Sequence, residues 1–115
     1  MNIVVNIITG IVALLHIGFL ALEMFLWEKP VGRGVFHTTE EFAAQSKTLA
    51  ANQGLYNGFL AAGLIWGLFA GDSVKTFFLG CVIIAGIFGA FTVSKRIFYI
   101  QALPALIGLV LLLAA

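Results

Sequence analysis

Glu23 and His16 stand seven residues apart inside an apolar stretch, and both carry side chains that take up and release protons. Seven residues return a helix to within about 20° of its starting direction, so the pair shares one face about 10 Å apart. Hydrocarbon disfavours a carboxylate by roughly 2.5–3.5 kcal/mol even on the lenient insertion scale. An acid kept there faces a protein interior or a wet cavity, where it can bind, titrate or relay protons. A second run, Asn52-Gln53 with Tyr56-Asn57, sets four hydrogen-bonding side chains within six residues and spreads them over an arc of about 140°. Thr92, Ser94, Lys95, Arg96, Tyr99 and Gln101 add polar groups nearer the C-terminus. There Pro104 deprives the Ile100 carbonyl of its usual amide donor, beside Gln101.

Each of these features has a plainer explanation. Glu23 could pair with Lys95 or Arg96 or snorkel to an interface, and His16 could be a hydrogen-bonded structural histidine. The amide and phenol cluster could be interhelical glue at about 0.6 kcal/mol per bond. Four such groups in six residues exceed what glue needs, which favours a site. The expected proton- and ligand-binding set is therefore His16, Glu23, Asn52, Gln53, Tyr56, Asn57, Lys95 and Gln101. Glu23 would lie on the wall of a cup open to the cytoplasm and His16 near its floor.

The elements that must position these groups are apolar. The chain is 62% hydrophobic and 10% charged, with a mean hydropathy of +1.11, outside the range of water-soluble domains. Four runs, about 3–27, 49–70, 74–93 and 97–114, reach or approach the roughly 20 residues that cross a bilayer as a helix. These boundaries predict an all-α integral membrane four-helix bundle, a single domain over 1–115. The first run lacks a basic flank and is long for a signal peptide, so it reads as a retained helix. Lys29, Arg33, Lys47, Lys95 and Arg96 fall on one side of the four spans and Lys75 alone on the other. That bias places both termini outside and the 28–48 loop in the cytoplasm. In this loop Trp27 and Lys29 read as interface anchors, Pro30-Val-Gly-Arg-Gly34 as a turn, and Thr38 with Glu41 as a capping box starting the second helix near Thr39. Gly63, Gly67 and Gly71 predict tight packing in the outer half, and Gly54 with Gly58 a seat for a neighbouring helix. The lone Cys81 reads as a small buried hydrophobe. A net charge of +1 gives nucleic acid no electrostatic basis.

Three segments carry a family resemblance. They are Met24-Phe-Leu-Trp-x-x-Pro30-x-Gly32, Ala51-Asn-Gln-Gly-Leu-Tyr-Asn-Gly-Phe-Leu-Ala-Ala-Gly63, and Thr92-Val-Ser94 followed by Gln101-x-Leu-Pro104-Ala105. With these the chain resembles the small four-helix bacterial membrane proteins catalogued as domain of unknown function 1304. The resemblance covers most of the chain. It implies a four-helix membrane protein, assigns no activity, and suggests that Asn52, Gln53, Tyr56, Asn57 and Gln101 belong to a shared pattern.

The favoured expectation is a protein of the cell inner membrane that binds, and moves with proton coupling, a small molecule. Length, span number and a glutamate in the first helix are similar to those of small multidrug exporters, although the charge bias disfavours the antiparallel dimer that those form. One alternative is a membrane-embedded enzyme using Glu23 and His16 as an acid–base pair on a lipid-like substrate. Another is an accessory subunit of a membrane complex. The expected partners are membrane lipids, an unidentified small molecule and a second copy of the chain, without nucleic acid. His16 and Glu23 are too sparse for a zinc site, a lone histidine is slender ground for a haem, and no cofactor is expected.

Overall fold

The computed structural model describes residues 2–114; Met1 and Ala115, the ends of the expected domain, lie outside the described residues. Among the described residues the chain is α-helical, without strands. Five helices follow one another: α1 Asn2–Met24, α2 Pro30–Phe36, α3 Glu40–Ala70, α4 Asp72–Thr92 and α5 Lys95–Ala114. Three helical segments are long and apolar enough to cross a membrane: Ile3–Met24 within α1, then α4 and α5. The expected second run, 49–70, is the latter part of α3 and is not among them, because Asn52, Gln53 and Asn57 dilute its apolar character.

Local chemistry sets the helix ends. Helix α1 stops at Met24 rather than continuing to Trp27, and the amides of Phe25 and Leu26 both bond to the Ala21 carbonyl. The Pro30–Gly34 segment, expected to be a turn, instead belongs to α2. Pro30 occupies its first turn, where a missing N–H costs nothing, and His37 ends it in the left-handed region at φ 56°. Helix α3 begins where expected, but its cap is Thr39: the Phe42 amide donates to Thr39 Oγ1 at 3.1 Å, and the Thr38 hydroxyl is buried without a partner among the described residues. Gly71, at φ 113°, makes the break between α3 and α4 in a conformation that side chains rarely adopt.

Internal contacts divide the chain into two compact units, Met1–Leu15 with Leu60–Ala115, and His16–Phe59. The first unit holds a core to which four helices contribute: Val12 and Ala13 of α1, Leu64 of α3, Leu79 and Val82 of α4, and Ala105 of α5. Small residues bring α4 and α5 close. A Cβ on Gly86 would sit 2.6 Å from the Ala102 Cβ and 2.7 Å from its amide nitrogen. Ala102 ends a wide π turn, Phe98–Ala102, in which the Leu103 amide bonds five residues back to Phe98. The proline at 104 explains it: lacking an amide hydrogen and bulky toward the preceding turn, Pro104 favours a locally wider helix. At the start of α4, Lys75 is only 5% exposed. Its ammonium donates to Asn6 Oδ1 at 2.8 Å and pairs with Asp72 at 3.3 Å.

The second unit contains the end of α1, all of α2 and the first two-thirds of α3. Trp27 ties it together. Its indole donates to Ser46 Oγ at 3.1 Å, and its ring lies 5.0 Å from that of Phe36. A Cβ on Gly32 would collide with the Leu26 carbonyl, so α2 can lie against the α1–α2 turn only with glycine there.

Candidate functional site

The register between α1 and α3 in the second unit is fixed by glycine. A Cβ on Gly54 would meet Met24 Cγ at 2.5 Å and Glu23 Cβ at 3.2 Å, and one on Gly58 would meet Leu20 Cδ1 at 2.7 Å. Gly54 and Gly58 thus seat α1 within the chain. One turn past Gly54, Asn57 reaches the acid, and its Nδ2 donates to Glu23 Oε1 at 2.5 Å. Glu23 is half-buried, with one carboxylate oxygen held and its side chain on the wall of an open cavity of about 590 Å³.

The cavity wall is polar as well as aromatic. Besides Glu23 it includes Trp27, Glu28, Lys29, Lys47 and Thr48. Lys47, Thr48 and Ala51 come from the α3 segment preceding Gly54, on the side of the i, i+4 row that faces the cavity. Among the described residues, the ammonium groups of Lys29 and Lys47 make no ion pair. The site therefore offers carboxylates for a cation, ammonium groups without an ion pair for an anion, and an aromatic residue beside them.

The expected site residues separate. Of those in this unit, Glu23 alone lines the cavity, with Asn57 supporting it. Asn52 and Gln53 are exposed, and Tyr56, 54% exposed, has its ring 5.9 Å from that of Phe59. The 140° arc thus places one of its four side chains on the acid and turns three outward. His16 is fully buried, with its ring edge-on to Phe19 at 5.2 Å. It does not line the cavity. Lys95 and Gln101 belong to the other unit, Lys95 exposed in the first turn of α5 and Gln101 half-buried in the π turn. No group of three or more His, Cys, Asp or Glu residues that could hold a metal ion occurs among the described residues.

A family model described as a protein of unknown function (DUF1304) matches residues 10–113. The chain belongs to the DUF1304 family. The match spans α2, α3, α4 and most of α1 and α5, so every cavity residue of this DUF1304 chain lies within it. A relative from Lactococcus lactis subsp. lactis (strain IL1403), the uncharacterized protein YpaA, is 30% identical over 115 residues, covering 96% of this chain and 97% of the relative. No solved structure matches.

Several residues that the geometry of this DUF1304 chain brings forward carry little signal in the sequence. Glu28 and Thr48 line the cavity but carry no motif. Lys47 reads from the sequence as a topology marker alone, and Lys29 as a topology marker and an interface anchor. In the other unit, the buried Lys75 and its acceptor Asn6 are 69 residues apart, a pairing that no local pattern signals.

Proposed function

We propose that this protein is a four-span protein of the inner membrane, with both termini outside, that binds a small cationic molecule at Glu23 and exchanges it for a proton. Three helices long and apolar enough to cross a bilayer support the membrane assignment, and α3, about 46 Å long at 1.5 Å per residue, is long enough to add the fourth. The single observation that carries the binding site is the Glu23 carboxylate on the cavity wall, one oxygen taken by Asn57. A carboxylate so held is preorganised for a cation, and a proton competes with the cation for it. His16 does not line the cavity, so the acid–base enzyme alternative gains no geometric support.

The test is binding of a hydrophobic primary amine, dodecylamine, to purified protein, followed by tryptophan fluorescence. The Trp66→Phe background leaves Trp27 on the cavity wall as the sole reporter. Glu23→Gln is expected to weaken binding at least tenfold while the helical signal is kept. Wild-type affinity is expected to fall as pH is lowered, since proton and amine compete for one carboxylate, and the Gln variant to lose this slope. The charged groups around Glu23 on the cavity wall are Glu28, Lys29 and Lys47, so the slope is read against Glu28→Gln as well. Equal affinity in wild type and Glu23→Gln would refute the reading. If Glu23→Gln aggregates and loses the helical signal, the carboxylate is structural.

A further inference from the structure

We infer that the Glu23 cavity selects a zwitterion carrying a primary ammonium and a phosphate, the chemistry of an aminophospholipid head group. The inference rests on the cavity reading above and adds the anionic half of the ligand. Glu23 supplies the receptor for the ammonium, with Asn57 holding the carboxylate in place. Lys47 and Lys29, on the same wall and unpaired among the described residues, supply the receptor for the phosphate.

Spacing along α3 sets the scale. Gly54 abuts the Glu23 side chain, and Lys47 lies seven residues earlier, two turns or about 10 Å along the same helix. A ligand whose ammonium and phosphate stand two methylenes apart, with one contact added at each end, spans a gap of that order. A simple organic cation would leave both lysines idle, and a simple anion would meet Glu23 and Glu28.

Depth points the same way. The apolar segment of α1 ends at Met24, one residue past Glu23, and the wall continues through Phe25 and Trp27 to Lys29. Apolar, then aromatic, then basic is the order in which a chain leaves hydrocarbon for the head-group layer. Phe25 is 69% exposed beside the cavity, and offers an apolar edge to an acyl chain. The same head group also exists as soluble phosphoethanolamine, and the experiment distinguishes the two sources.

Using the Trp27 reporter in detergent, the protein is titrated with short-chain phosphatidylethanolamine, phosphatidylglycerol of the same chain length, dodecylamine and phosphoethanolamine. Phosphatidylethanolamine is expected to bind at least tenfold more tightly than either phosphatidylglycerol or dodecylamine. Glu23→Gln and Lys47→Gln should each weaken it at least tenfold, and Lys47→Arg should retain most of the affinity. Phosphoethanolamine matching the lipid assigns the zwitterion to a soluble solute; phosphoethanolamine binding at least tenfold more weakly assigns it to the bilayer. Phosphatidylglycerol binding as tightly as phosphatidylethanolamine, or Lys47→Gln without effect on it, overturns the inference. If dodecylamine binding still depends on Glu23 in that case, the cation site survives alone; if neither amine depends on Glu23, both fall.

Discussion

Two adjacent threonines show how a single hydroxyl's surroundings decide its worth. Thr39 Oγ1 accepts from the Phe42 amide and satisfies one of the orphan donors at the start of α3. Thr38 Oγ1 is buried with no partner among the described residues. Thr39→Ala is expected to cost about 0.5–2 kcal/mol, seen as a lower midpoint in thermal unfolding followed by circular dichroism. Thr38→Val, which keeps the shape and removes an unsatisfied hydroxyl, is expected to be neutral or stabilising; a larger loss from Thr38→Val than from Thr39→Ala would reverse the assignment. The sequence places the start of α3 correctly yet selects the wrong threonine, because Thr38 with Glu41 matches the spacing rule and only the backbone conformation separates the two. Glu23 was legible for a stronger reason: a carboxylate in an apolar run is costly wherever the helix points. Which of Asn52, Gln53, Tyr56 and Asn57 meets it depends on how α3 turns against α1, and that rotation is set by Gly54 and Gly58 through contacts distant in the chain.

Helices α1, α4 and α5 are readable from composition alone, since an apolar run of sufficient length admits little but a helix. Helix α2 is not: Pro30, Gly32 and Gly34 in five residues signal a turn, yet proline is well placed in a first helical turn and Gly32 is required by the Leu26 carbonyl packed against it. Close approach also governs α4 against α5. Gly86 faces Ala102 with no room for a methyl group, whereas a Cβ on Gly80 would meet nothing within 4 Å. Gly86→Ala is therefore expected to destabilise by about 1–3 kcal/mol through overpacking. Gly80→Ala, in an open position of the same helix, is expected to be neutral or slightly stabilising through helix propensity. Unfolding midpoints in one detergent compare the pair; equal midpoints would show that α4 and α5 do not hold this spacing.

At the scale of the whole molecule, charge asymmetry makes orientation testable. With Cys81 replaced by Ser, a cysteine at Ser73, exposed near the start of α4, is expected to react with a membrane-impermeant maleimide in intact cells. A cysteine at Glu40, exposed at the start of α3, is expected to react only after lysis. The opposite pattern would invert the proposed topology and place the Glu23 cavity on the outer side. Five basic residues against one made this expectation legible, but the sixth, Lys75, is held by Asn6 and Asp72 rather than lying free at an outer surface. The π turn in α5 carries a consequence for the chain's tolerance to changes in length. Phe98–Ala102 spends one residue more than a regular pitch requires, so losing a single residue there would leave an unbroken spiral with its inner stripe still in phase. A deletion nearer Gly108 would swing every following side chain by about 100°, and the C-terminal segment would meet its neighbours with the wrong edge.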